Sequence, residues 1–275
     1  MIGLYHKTGP DDDEISEGSI RKHLGELYDT FTPEIFQEIG STNSYMKEKS
    51  DGMKPWHAVI ASGQSMGRGR RGRTFASPSG TGVYLSVLLK PELLSARMTM
   101  ITAIAAVAAC RAIEACTEEK AYIKWVNDIF VRGKKVCGIL TEALVDPDSG
   151  AVIGMVMGAG FNVYEPDGGF PEEIKDIAGA ITEGRSSELR SRIAAGFLKE
   201  FRTICSAPEA CDHIKEYRER SFVIGTDINV ISGSSVRPAK AMDIDDECRL
   251  IVVYDDGTRE ELSSGEVSVR ERIGG

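Results

Sequence analysis

Gly67-Arg68-Gly69-Arg70-Arg71-Gly72-Arg73 is followed directly by Thr74-Phe75-Ala76-Ser77-Pro78-Ser79-Gly80. The first seven residues have the spacing G-x-G-x-x-G, the phosphate-binding turn of dinucleotide folds. In those folds the turn sits between a strand and a helix that opens immediately after it. Here turn-forming residues follow and no helix starts, so a doubly wound dinucleotide fold is excluded. What remains is a loop of four arginines among three glycines. Glycines let a backbone approach a ligand and flex, while arginines carry rigid forks of donors suited to carboxylate and phosphate. A solvated basic loop, a nucleic-acid contact and a ligand-closing loop all fit these residues alone. Gln64 just before and Phe75 just after add a polar anchor and an aromatic face, and they favour a ligand. So glycine-rich a segment is expected not to order itself without one.

Working outward from the loop, His57–Ala61 and Val83–Leu89 read as strands by their β-branched and aromatic content. Upstream, Ile35, Phe36 and Ile39 indicate a short strand. Ser41-Thr42-Asn43 offers an N-cap for a helix ending near Gly52. Downstream, Met98–Cys116 reads as a helix, and strands are expected at Tyr122–Trp125, Ile129–Arg132, Val136–Val145 and Val152–Met157. The links Gly133-Lys134 and Asp146-Pro147-Asp148-Ser149-Gly150 are too short for parallel crossovers and make antiparallel hairpins. Helical patterns fill Ser187–Phe201 and Glu209–Arg220. After Gly225 the texture changes to short strands, Ile228–Ile231, Val236–Ile244, Leu250–Tyr254 and Val267–Val269, separated by Gly-Ser or Asp-Gly turns. That is a small all-β module of SH3-like size. The expected division is a polar, acidic, partly ordered leader over 1–30, a catalytic domain over 31–224, and the β module over 225–275.

Bulk properties bound the function. The 275 residues are 41% hydrophobic and 27% charged, near globular averages, so disorder is not the default. A net charge of −9 argues against wholesale binding to nucleic acid or an anionic membrane, so any basic patch is local. The N-terminus runs from Met1 into Asp11-Asp12-Asp13-Glu14 without the charged and apolar regions of a signal peptide. The longest apolar stretch, Met98 to Cys110, is shorter than the roughly 20 residues a membrane span needs. The six cysteines form no Cys-x-x-Cys pair and have no histidine at zinc spacing, so structural, reduced thiols, no metal site and a cytoplasmic setting are expected. The four scattered histidines offer no nucleophile–base arrangement.

Two further clusters carry chemistry. In Lys124-Trp125-Val126-Asn127-Asp128, strand alternation places Lys124 opposite Trp125 at a strand end closed by Asn127-Asp128. An isolated lysine there is an exposed side chain before an Asx turn as readily as a catalytic cation. In Gly158-Ala159-Gly160-Phe161-Asn162, two glycines at a strand end mark either a bulge or a place where ligand meets backbone.

Taken in order, Ser41-Thr42-Asn43, Gln64 to Arg73, Lys124 to Asp128, Lys135-Val136-Cys137-Gly138-Ile139-Leu140-Thr141-Glu142 and Gly158 to Asn162 resemble the biotin–protein ligase family. The resemblance runs from about residue 35 to the C-terminus, where Gly265-Glu266-Val267-Ser268-Val269-Arg270 is similar to the close of the family's small β domain. It implies an α+β fold: a mixed, mainly antiparallel sheet flanked by helices, related to lipoate ligases and class II aminoacyl-tRNA synthetases, with a small C-terminal SH3-like β-barrel. It implies biotin and ATP as substrates, with Mg2+, and a biotin carboxyl carrier protein as acceptor. By the same resemblance, Ser41, Thr42, Asn43, Gln64, Gly138, Gly158, Gly160 and Asn162 belong to the substrate site. The closing loop holds Gly67, Arg68, Gly69, Arg70, Arg73 and Phe75. Lys124, with Asn127 beside it, meets the reacting carboxylate and phosphate, while Lys135 and Arg70 complete the catalytic set.

The family usually has proline where Val126 stands and often tryptophan at Phe75, so the turn is less rigid and the aromatic face persists. Residues 1–30 do not match the DNA-binding domain that some members carry, so no nucleic acid and no membrane partner is expected; a homodimer is left open. Two rivals stand beside this: a lipoate or octanoyl ligase on the same fold, and a non-catalytic biotin sensor, which needs a DNA-binding element.

Overall fold

The computed structural model describes residues 13–90, 100–207 and 212–269. The leader before Asp13, Met98, Glu209 to Cys211 and Arg270 lie outside them.

The central sheet has seven strands in the order β1-β2-β3-β7-β6-β5-β4. They are β1 (Glu34–Phe36), β2 (Ala58–Ala61), β3 (Gly82–Leu89), β4 (Tyr122–Lys124), β5 (Asp128–Val131), β6 (Lys134–Val145) and β7 (Val152–Asn162). Only the β1–β2 pair is parallel; the other five pairings are antiparallel, as the short links require. β7 runs on to Asn162, beyond the expected end at Met157, and the added residues pair with β3 on one side and β6 on the other.

The helices are α1 (Glu17–Leu24), α2 (Tyr28–Phe31), α3 (Thr42–Lys49), α4 (Ile101–Cys116), α5 (Leu189–Ser206) and α6 (His213–Arg220). Strand alternation divides the sheet into two faces. Val83, Leu85, Val87 and Leu89 of β3, with Met157, Ala159 and Phe161 of β7 and Cys137 and Ile139 of β6, join the main core with α4 and α5. α4 carries Ala103, Ala105, Ala106, Ala108, Ala109 and Ala112 buried, as suits a helix covered all round. The opposite face is covered only partly. There α3 sets Met46 against Val59, Leu88, Leu144 and Val156 in a small second cluster. The remainder of that face is open, and the site lies on it.

The described part of the expected leader, residues 13–30, is built into this core. Ser16 caps α1 in a capping box with Ser19, and Ile15, Ile20, Leu24, Tyr28 and Phe31 are buried. Asp13 and Arg190 form a buried ion pair, with Arg190 Nε 3.1 Å from Asp13 Oδ2 and Nη1 donating to Ser62 Oγ at 2.7 Å. Alternation within so short a helix carries little signal; the apolar face becomes legible only through its partner α5.

C-terminally, β8 (Asp227–Ser232), β9 (Ser235–Ile244), β10 (Leu250–Tyr254), β11 (Arg259–Leu262) and β12 (Glu266–Val269) form an antiparallel sheet in the order β11-β10-β9-β8-β12. Among the described residues β11 and β12 do not pair, so the expected barrel is an open five-stranded sheet. Its apolar side merges with the main core: Ile228, Val230, Leu250, Val252 and Val267 are in one cluster with Trp125 and Ile129. No helix among the described residues is long and apolar enough to cross a membrane.

Candidate active site

Cross-strand register assembles the floor of the site. On the open face Ser86, Gly158 and Leu140 stand in one row, and Tyr84, Gly160 and Gly138 in the next. Three of these six residues are glycines because side chains from elsewhere occupy the space above them. A Cβ on Gly160 would stand 2.8 Å from the Phe75 ring and one on Gly138 3.0 Å from it, so Phe75 lies across the glycine pair. A Cβ on Gly158 would overlap the Asn43 carboxamide, 2.9 Å from its Cγ. Neither glycine marks a bulge, and neither ends its strand.

Above this floor lies a small inner pocket of about 30 Å³, lined by Ser41, Thr42, Asn43, Gln64, Arg68, Phe75, Gly138, Gly158 and Gly160 among others. Ser41 caps α3, accepting from the Ser44 amide. Gln64 Oε1 accepts from the Thr42 amide at 2.8 Å and from Thr42 Oγ1 at 3.1 Å, and Gln64 Nε2 donates to Ser77 Oγ. Asn43 is buried with its carboxamide committed: Oδ1 accepts from Ser86 Oγ at 2.6 Å, and Nδ2 donates to Glu142 Oε2 at 2.9 Å.

The inner pocket shares Arg68, Phe75, Gly138 and Leu140 with an outer cleft of about 260 Å³. Lys124, Asn127, Asp128, Lys135, Asn162, Gly69, Arg70 and Arg73 line that cleft, together with Gly265 and Glu266 from the C-terminal sheet. The turn after β4 is fixed from three sides. Ile139 and Asn127 exchange two bonds, Ile139 N to Asn127 O at 3.0 Å and Asn127 Nδ2 to Ile139 O at 2.9 Å. The buried Tyr217 hydroxyl donates to Val126 O at 2.8 Å. Lys135 Nζ stands 2.6 Å from Asp128 Oδ1. Burial pushes the Lys124 ammonium below the usual lysine range, against the pull of Asp128. Burial likewise lowers the Arg70 guanidinium, with Arg71 adding to the effect.

The arginine loop follows a defined course. Phe75 N donates to Gly67 O and Gly69 N to Arg73 O, both within 2.9 Å, so residues 67–75 form a narrow ribbon with a 3₁₀ turn over Arg70–Gly72 at its tip. Arg71 and Gly72 take the left-handed conformation that closes the turn. The side chains supply the order that the glycines lack. Arg70 Nη1 donates to Asn127 Oδ1 and to Gly265 O, each at 3.1 Å. Arg73 pairs with Glu266 at 2.8 Å, and Arg68 with Glu142 at 3.3 Å.

Every residue singled out in the sequence thus lines one of the two connected spaces except Gly67. It sits at the base of the ribbon, where a Cβ would run into the Phe75 carbonyl. Sequence reasoning gave Ser86 no role and took Gly265 and Glu266 only as part of the close of the small β domain: a serine within an apolar strand carries no local signal, and neither does the meeting of a glycine with a cleft 140 residues away at Trp125. A larger, shallow depression of about 470 Å³ around Arg111, Glu114, Glu216 and Arg220 lies elsewhere. Its arginines are already paired with its glutamates.

A sequence model of the biotin/lipoate A/B protein ligase family matches residues 35–162, and one of the biotin protein ligase C-terminal domain matches 223–270. The bifunctional ligase/repressor BirA of Bacillus spizizenii is 30% identical over 240 residues, covering 84% of this chain and 72% of that protein. The chain belongs to the biotin/lipoate protein ligase family. The biotin--[acetyl-CoA-carboxylase] ligase of Mycobacterium tuberculosis is 29% identical over 79% of this chain and 81% of its own. In fold this family member is similar to the biotin protein ligase from Aquifex aeolicus in complex with biotin and ATP, with a TM-score of 0.72 and 24% identity over 86% of this chain and 98% of that one.

Proposed function

We propose that the chain activates biotin with ATP to biotinyl-5'-AMP and transfers the biotin to a lysine of a biotin carboxyl carrier protein. The observation that carries the proposal is the junction of the two spaces. A small pocket with committed amides opens, past Phe75 and Arg68, onto a cleft whose walls carry Lys124, Lys135, Arg70 and Arg73. In a chain of net charge −9 this local concentration of cations suits a reaction in which two anions must meet. The biotin carboxylate oxygen bonds to the α-phosphorus as the bond to the pyrophosphate oxygen breaks. Lys124 at the end of β4 offsets the charge where carboxylate and phosphate approach, and Lys135, steered by Asp128, serves the phosphate side. The carrier amine then attacks the acyl carbon, loses a proton and expels AMP. A mixed anhydride hydrolyses readily, so the ribbon of residues 67–75 guards it from water.

Mg2+ needs only one or two protein carboxylates beside substrate phosphates. Among the described residues no three potential ligands cluster, but Asp128 and Glu266 both line the cleft and fit that modest demand. Bound with the nucleotide, the ion neutralises phosphate charge. The five described cysteines are free thiols, which supports a cytoplasmic setting. No DNA-binding role is proposed for the described residues; sequence-specific binding tighter than to random duplex at physiological salt would overturn that.

Biotin-dependent exchange of labelled pyrophosphate into ATP tests the activation step. Exchange driven by lipoate or octanoate but not by biotin would move the chain to the lipoate branch of the family. No exchange with any of them would leave the cleft without its proposed reaction.

A further inference from the structure

Glu142 stands where the two parts of the open sheet face meet. Alternation along β6 puts Gly138, Leu140, Glu142 and Leu144 on that face. Gly138 lies under Phe75, Leu140 floors the inner pocket, and Leu144 belongs to the apolar cluster beneath α3. Glu142 is the anion between them, its side chain 15% exposed. Burial by itself would raise its pKa, yet the carboxyl is held below the usual range by its bonds from Asn43 and Lys47.

Three groups from two elements converge on it. Asn43 Nδ2 and Lys47 Nζ of α3 reach it at 2.9 and 3.1 Å, and Arg68 Nη2 of the arginine ribbon at 3.3 Å. Asn43 and Arg68 line the inner pocket; Glu142 itself does not. At its tip the ribbon is held by Asn127, Gly265 and Glu266. At its base, Glu142 is the one carboxylate paired with a ribbon arginine among the described residues.

We propose that Glu142 is a positioning residue for the inner substrate: it latches the base of the arginine ribbon, through Arg68, to the N-terminal turn of α3, through Asn43, and so sets the closed wall of the pocket. This rests on the assignment of that pocket to biotin. Glu142 touches neither Lys124 nor Lys135, and of its partners only Arg68 also lines the outer cleft, so its loss should act more strongly on the inner substrate than on the nucleotide. Its partner Arg68 is half exposed and the pair works within a network, so the effect should be about three- to tenfold.

Glu142→Gln keeps an acceptor for Asn43 and nearly the same volume but removes the charge that Lys47 and Arg68 need. Exchange of labelled pyrophosphate is measured with biotin and ATP varied separately, in the wild type, Glu142→Gln, Arg68→Gln and the double variant. Arg68→Gln changes a half-exposed side chain and leaves the fold intact should Glu142→Gln prove unstable. The expected result is a rise in KM for biotin of about three- to tenfold in either single variant, a clearly smaller change in KM for ATP, and no further rise in the double variant. An unchanged KM for biotin, equal rises for both substrates, or multiplying effects in the double variant would overturn the latch. Absence of exchange in the wild type would instead refute the assignment of the reaction.

Discussion

Substituting Gly158 by alanine tests the construction of the inner pocket most directly. The added methyl group would overlap the Asn43 carboxamide, whose Cγ is 2.9 Å from the Cβ position. Asn43 is 5% exposed and gripped by Ser86, Leu140 and Glu142, so it has nowhere to go without breaking a bond. If α3 shifts to make room, the overpacking costs about 1–3 kcal/mol. If the carboxamide rotates, Ser86 Oγ, fully buried, loses its partner at about 1–3 kcal/mol. Either response costs about 1–3 kcal/mol and lowers the melting temperature by roughly 2–12 °C for a chain of this size. Gly52→Ala is the control, since a Cβ there meets nothing within 4 Å. Thermal unfolding and biotin-dependent pyrophosphate exchange are read on both. A Gly158→Ala protein melting within about 2 °C of the parent with an unchanged KM for biotin would refute the packing of Asn43 on β7.

Lys124→Ala should slow adenylate formation about 10²–10³-fold while the fold persists, and unchanged pyrophosphate exchange would remove Lys124 from the reaction. Because burial lowers the Lys124 pKa, the charged form is lost as pH rises through a value below the ordinary lysine pKa of about 10.4; the alkaline fall in exchange rate should therefore come early, and Lys124→Arg should abolish it. Arg70→Gly removes the bonds to Asn127 and Gly265 and should release the intermediate, so that an unrelated lysine-rich protein mixed with variant, biotin and Mg-ATP becomes biotinylated; an unlabelled bystander with normal adenylate formation would contradict this. Asp13→Asn leaves Arg190 as an uncompensated buried charge and should cost about 3–5 kcal/mol, visible as a markedly lower melting temperature; an unshifted melt would mean that the N-terminal segment contributes nothing to the fold.

The parts legible in the sequence were those whose cause is local. Ser41 announced the start of α3, and Asp146 to Gly150 announced the β6–β7 hairpin, because a cap and a tight turn are written in adjacent residues. β11 was missed because Arg-Glu-Glu-Leu lacks β-branched residues and buries only Leu262; it is a strand by virtue of pairing with β10. The helix α1 was missed for the same kind of reason, its apolar side being defined by α5 and by the Asp13–Arg190 pair. At the site, the residue types were visible but not their work. Gly158 and Gly160 read as a bulge or a ligand contact, whereas each makes room for a side chain from a distant segment. The arginines read as a loose loop, whereas Glu142, Asn127, Gly265 and Glu266 hold it as a ribbon. A counter-ion more than fifty residues away leaves no trace in a local pattern.

Trp125 gives the molecule a built-in optical reporter. The chain holds two tryptophans. Trp56 is packed edge-on between Phe31 and Phe201, in the core and away from the cleft. Trp125 lines the cleft with 3% of its surface exposed, donates its indole N–H to Cys248 O of the C-terminal sheet at 3.0 Å, and lies beneath Gly265. Its emission wavelength therefore depends on both the contents of the cleft and the seating of the C-terminal sheet. In a Trp56→Phe background that single fluorophore would follow, in real time and without a label, how nucleotide filling the cleft and movement of the β module against it are ordered.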